Sequence, residues 1–170
     1  MRCEHLEKLF ENLGEQDYDH NDVSPQDLNY NCIAWAAGEK HRRWWPTKLG
    51  GYWWPPQLPP DEETQQNFIS AFELLGYRVC KHSKLESGLE KVAIYIDSQG
   101  VPTHMARQIE SGVWWSKCGV RGEDIKHKTL AALEGTNGYG KAVVFLKRRR
   151  DGNPFLTDRI LSILKKLLGR

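Results

Sequence analysis

The segment YNCIAWAA at residues 30–37 sets Cys32 between an asparagine and a run of small and apolar residues. Asn29 or Asn31 can cap a short helix over about 32–37, and Gly38 can end it. Cys32 would then stand in the first turn, where unsatisfied N–H groups and the helix dipole favour the thiolate. The expectation is a thiol pKa below the reference value of about 8.5. A thiolate becomes an acyl-transfer nucleophile when an imidazole lies within hydrogen-bond reach and a third group fixes that ring in one tautomer. The competing assignment is packing, because free cysteine is among the residue types most often buried.

Of the six histidines, His5 falls in the first helical segment, His20 and His41 in polar stretches, His82 in a loop and His127 in GEDIKHKT. His104 differs: in VPTHMARQIE the alternating residues after it predict a strand, which would give its side chain a fixed direction. The orienting group would be Ser116 on the following strand, Asp124 or His127. Lys117 cannot accept an imidazole N–H. The backbone N–H of Cys32 and the Asn31 amide are the candidate oxyanion donors. By donor type Cys32, His104, Cys118 and His127 suit zinc, but no short ligand spacing joins them, so no metal is expected. P-loop, dinucleotide, HExxH and GxSxG patterns are missing from the sequence, and no cofactor is expected.

The elements that must hold these groups follow from periodicity. EHLEKLFENL at 4–13 places Leu6, Leu9, Phe10 and Leu13 at helical spacing before Gly14. EQDYDHNDVSP reads as a polar loop. HRRWWPTKLGGYWWPPQLPP at 41–60 holds four Trp and five Pro, too much proline for a helix or a central strand. It is expected to be an ordered loop and a groove wall. Its Trp44, Trp45, Trp53 and Trp54, with Trp35, Trp114 and Trp115, are the aromatic candidates for a substrate groove. DEETQQNFISAFELL at 61–75 is the clearest helix, with Gly76 past its end. YRVC, KVAIYID (91–97), VPTHMARQIE, VWWSK and KAVVFLKRR (141–149) read as strands, the second and third as a hairpin. The stretch DIKHKTLAALEG is left without an assignment. Helices first and antiparallel strands second predict an α+β fold, N-terminal helices packed on an antiparallel sheet.

A chain of 170 residues suits one domain, expected at 1–150. PFLTDRILSILKKLLGR then predicts a basic amphipathic helix within 151–170, a closing element or a surface for a protein partner. Residues 141–170 carry a net charge of +7 and the rest −5. RRR at 148–150 reads as a solvated strand end, and no nucleic-acid reading motif accompanies it. No apolar run approaches about eighteen residues, so no transmembrane segment is expected. The acidic start lacks a secretory pattern, and the four cysteines are widely spaced, which predicts free thiols and a cytoplasmic location.

YNCIAWAAG, together with KVAIYIDSQGVPTHMARQ, resembles the nucleophile and histidine segments of papain-like Cys-His peptidases and amidases of the NlpC/P60 and CHAP type. The set NC-x-AWA, WWP, GYxxC, KVAIY, PTHMARQ, SKCG and DIKH resembles, over most of 28–147, an uncharacterised bacterial domain family. The resemblance implies Cys32 as nucleophile and His104 as base, with a polar third residue on the next strand. Ser116 stands at that position, and His127 is the other candidate. Asn31 stands where the cell-wall enzymes commonly carry aspartate. The implied activity is thiol-dependent hydrolysis or acyl transfer on an amide or peptide-like bond, in a peptide, a protein or an amide-containing small molecule. The alternative is a non-catalytic toxin-associated, immunity or regulatory module, with the Trp-Pro loop or the C-terminal helix as its contact surface.

Overall fold

The computed structural model describes residues 4–118 and 123–152. In chain order it runs α1 (Glu4–Leu9), β1 (Tyr18–Val23), α2 (Cys32–Ala37), β2 (Arg43–Trp44), β3 (Tyr52–Trp53) and α3 (Gln65–Glu73). There follow β4 (Arg78–Cys80), β5 (Leu89–Ile96), β6 (Pro102–Gln108), β7 (Trp114–Cys118), β8 (Glu123–His127) and β9 (Lys141–Arg149). Short 3-10 turns occupy Glu15–Asp17 and Leu130–Leu133.

Seven strands make one antiparallel sheet in the order β1-β8-β7-β6-β5-β9-β4. Its two faces sort the side chains of each strand by the two-residue alternation. On one face Val92, Ile94, Met105 and Leu146 pack with α2, α3 and the Trp-Pro loop. On the other, Ala93, Tyr95, Ala106, Trp114 and Ile125 pack with Leu6, Phe10 and Leu13 of the N-terminal segment and with Ala132 and Leu133. The result is the mixed α+β arrangement expected, with helices on a large antiparallel sheet. Among the described residues no helix is long and apolar enough to cross a membrane.

Local chemistry accounts for the helix limits. Thr64 caps α3, its side chain accepting from the Asn67 N–H, and Gly76 (φ 83°) turns the chain out past its end. The helix expected from 61 begins only at Gln65, so the acids at 61–63 lie before it. Asp61 pairs with Lys48, and Glu63 accepts from the Trp45 indole. Phe68, Ala71 and Phe72 are fully buried at i, i+3 and i+4, and Phe68 receives the Trp45 and Trp54 rings. Asn67 donates to the Pro59 and Glu62 carbonyls and so ties the proline-rich chain to α3.

Several expectations need correction. The polar stretch read as a loop contains β1, an edge strand with buried Tyr18, and the unassigned stretch contains β8. The first helix ends at Leu9, whose side chain is exposed. The 41–60 segment includes the two-residue parallel pair β2–β3. The RRR run is not simply solvated, because Arg148 and Arg150 close on the buried Glu90 carboxylate. The helix expected at 151–170 lies, from 153 onward, outside the described residues.

Candidate active site

Cys32 is the first residue of α2, as its sequence context suggested. Asn31 is the cap, accepting from the Ala34 N–H at 3.3 Å, and Gly38 ends the helix in the left-handed region at φ 86°. The Asn31 amide also clamps β2: its Oδ1 accepts from the Trp44 N–H (3.0 Å) and its Nδ2 donates to the Trp44 carbonyl (2.7 Å). One Nδ2 hydrogen is left over, so most of the amide proposed as an oxyanion donor is committed to holding the helix start.

The thiol lies at a split in the sheet. Strands β6 and β7 are paired from Gln108↔Trp114 to Ala106↔Ser116, and no pair continues to Met105 or His104. Beyond that point β7 follows β8 alone, as far as Cys118↔Glu123. The N–H groups of Met105, Ile33 and Cys32 itself lie near the Cys32 sulfur and each favours its thiolate. Cys118, on the other face, registers the same sulfur: its thiol is raised well above its ordinary value by burial first and then by the charge at Cys32.

This environment does not lower the Cys32 pKa. Removal from water outweighs the three N–H groups, and the thiol is pushed up to about 11. The expectation of a helix-stabilised thiolate is overturned: a six-residue helix supplies too little dipole to offset the desolvation of sulfur. Cys32 itself remains partly accessible.

His104 points to the sheet face opposite α2, and among the described residues no hydrogen bond joins its ring to the Cys32 sulfur, so the expected Cys32–His104 contact is not formed. Its ring lies parallel to that of Tyr139 (centroids 3.9 Å apart, planes at 4°) and edge-on to Tyr95. It is fully buried, as are Ser116 and His127, and the three are linked: His104 Nε2 to Ser116 Oγ at 3.0 Å, and Ser116 Oγ to His127 Nε2 at 2.9 Å. His127 Nδ1 lies 2.7 Å from the Thr129 carbonyl.

These contacts fix every proton. Burial pushes His104 well below its ordinary value and His127 down to about 4, so both rings are neutral near pH 7. A carbonyl only accepts, so His127 carries its proton on Nδ1 and Nε2 is an acceptor. The Ser116 hydroxyl spends its one proton on that Nε2. Ser116 Oγ must then accept from His104, which places the His104 proton on Nε2 and leaves Nδ1 as a bare lone pair. That Nδ1 is buried and has no hydrogen-bond partner. It is a neutral base with its acceptor atom free.

The other candidates are dispersed. Asp124 turns to the α2 face, accepting from the Tyr30 hydroxyl (2.9 Å) and pairing with Lys117 at 3.6 Å. His5 pairs with Glu123, and His82 lies against the buried Lys91 ammonium. Trp35, Trp44 and Trp54 are core residues on the α2 face, with Trp45, Trp53 and Trp115 partly buried against them. Trp114 belongs to the opposite cluster. Among the described residues no three His, Cys, Asp or Glu side chains converge as metal ligands. Sequence reasoning missed Tyr139, which covers His104, and the Thr129 carbonyl, which sets the tautomers. A main-chain oxygen leaves no mark in a sequence, and Tyr139 sits in a glycine-rich loop without strand or helix periodicity.

No curated protein and no solved structure matches this chain. A family model matches residues 21–147, a span that includes the Cys32 helix, the His104 hairpin and the Ser116–His127 pair. The chain therefore belongs to the family described as a domain of unknown function, DUF7689.

Proposed function

We propose that this chain is a papain-like thiol hydrolase or acyl-transferase acting on an amide or peptide-like bond. The observation that carries the reading is the bare Nδ1 of His104 on β6, set by the Ser116–His127–Thr129 chain, with Cys32 opening the helix that packs on that strand's other face. With the thiol raised and the imidazole lowered, the resting pair is neutral. His104 Nδ1 then acts as a general base during attack rather than standing in a preformed ion pair. The reaction requires the Cys32 S–H proton to reach Nδ1 across the gap where β6 and β7 part, as sulfur bonds to the substrate carbonyl carbon. The imidazolium returns that proton to the departing amine as the C–N bond breaks, leaving a thioester. Water, deprotonated by the same Nδ1, then releases the acid and restores the thiol; an amine in its place would complete a transfer.

A second reading is favoured by one observation, the complete burial of His104 beneath Tyr139. In it the histidine–serine chain is a structural network, and the domain is a non-catalytic module that binds a protein through the Trp-Pro loop or the C-terminal segment.

Acetylation by p-nitrophenyl acetate separates the two, with peptide mapping to locate the adduct. The catalytic reading expects an acetyl-thioester at Cys32 that forms about a hundredfold more slowly in His104→Ala. Cys80, also partly exposed, serves as the internal control. Acetylation of Cys80 with Cys32 untouched, or equal Cys32 rates in wild type and His104→Ala, would sink the catalytic reading in favour of the module.

A further inference from the structure

Beside the end of α2 the fold gathers more positive charge than it neutralises. Glu90 of β5 is buried, and three guanidinium groups close on it: Arg107 of β6, Arg148 of β9 and Arg150 just beyond. Its two oxygens are served unequally. Oε1 accepts from the Tyr77 hydroxyl and from Arg148 Nε at 3.0 Å, and Arg148 Nη2 lies 2.9 Å away. Oε2 faces only Arg107 Nε at 3.4 Å and Arg150 Nη1 at 3.7 Å. The Arg107 Nε is buried and has no hydrogen-bond partner. Three cations against one carboxylate leave two positive charges, and among the described residues no other acid pairs with them. Glu39 is held by Arg42, Glu86 by Lys91 and Lys147, and Asp151 by Arg149. Lys40 adds to the surplus: its Nζ and the Arg107 guanidinium each lie 4.8 Å from the Trp35 ring.

This charge can be reached from solvent. The Arg107, Arg148 and Arg150 side chains are 22%, 28% and 25% exposed, and exposed Gly38 leaves a gap beside them. A Cβ added at Gly38 would stand 3.6 Å from Arg107 Nη1 and 4.0 Å from Arg148 Nη2, so both terminal nitrogens border the space that a side chain would fill. The helix-end carbonyls that would repel an anion are already taken, Trp35 by the Gly38 N–H and Arg107, and Ala34 by the Glu39 N–H. We propose that this gap binds the dianionic phosphate group of a monoester, its oxygens on Arg107 and Arg148 and its charge balanced in part by Arg150. Planar guanidinium forks suit phosphate oxygens, and two negative charges match the two left over. The site lies at the opposite end of α2 from Cys32, so it does not rest on the reactivity of the thiol.

The test titrates the full-length protein with glycerol 3-phosphate at about pH 7.5, where a monoester is largely a dianion. Amide NMR is expected to show saturable shifts at Gly38 and Glu39. Dimethyl phosphate, a monoanion, should bind about tenfold more weakly, and Arg150→Gln should weaken the monoester by about tenfold. Gly38→Asp keeps a residue type that tolerates the left-handed backbone and sets a carboxylate in the gap, so it should abolish binding. Acetyl-phosphoserine amide, titrated alongside, separates a phosphorylated chain from a small ester: the tighter of the two names the source, and either upholds the site. Absence of saturable shifts at Gly38, equal affinity for the monoanion, or unchanged binding in Gly38→Asp or in folded Arg150→Gln would overturn the proposal.

Discussion

Ser116 is the residue on which the His104 tautomer turns, because its single proton decides the direction of the whole chain. Replacing it with alanine leaves His104 Nε2 and His127 Nε2 without a partner and releases His104 to carry its proton on either nitrogen. Two buried polar atoms left unpaired cost about 1–3 kcal/mol each, so Ser116→Ala should be plainly less stable to urea. A structural role alone would stop there. The positioning role adds a signature: nitrogen NMR of the labelled imidazoles should show a single Nε2–H tautomer for His104 in the wild type and a mixture in Ser116→Ala. Cys32 acetylation should also fall about tenfold, relative to Cys80. A single unchanged tautomer in the variant would refute the proton assignment. The sequence made Ser116 and His127 rival candidates for one orienting role. They are consecutive links instead, because β7 and β8 are neighbours and Ser116 and His127 are both turned to the Tyr139 face. That adjacency depends on β8, the strand whose alternation was hidden among charged residues.

At the scale of the element, α2 is too short to persist by propensity and is held from outside. Asn31 does most of this, capping the helix and bridging to both main-chain groups of Trp44. Asn31→Ala should cost about 2 kcal/mol, the upper range for a cap, because the Trp44 clamp goes with it. Asn31→Asp keeps the acceptor and should recover part of the loss. Urea unfolding checks both, and an Asn31→Ala midpoint equal to wild type would show that Trp35 and Ile33 packing alone secures the helix. The Asn-Cys start and Gly38 made this helix legible in advance, as did the β5–β6 hairpin, whose turn residues and alternation are local signals. The level of the Cys32 thiol was not legible. It depends on where β6 and β7 part, and on the loss of water there, which no local pattern records.

For the whole molecule, two neutral histidines inside one sheet make stability depend on pH in a defined window. His104 and His127 have folded values below the ordinary 6.5, with His127 at about 4, so between those limits the unfolded chain binds more protons than the folded one. Stability is therefore complete above about pH 6.5 and is lost as pH falls toward the folded values, with His127 accounting for about 3 kcal/mol over its window. The paired Glu86 carboxylate, lowered to about 2, loses its contribution only as pH falls from its ordinary 4.5, below most of the histidine window. Urea midpoints taken between pH 6.5 and 5 thus isolate the histidines. The slope of unfolding free energy against pH should approach about two protons in wild type and about one in His127→Gln, where only His104 remains to be charged. Identical slopes in the two proteins would mean that His127 is not held neutral in the fold, and the bare Nδ1 of His104 would lose its cause.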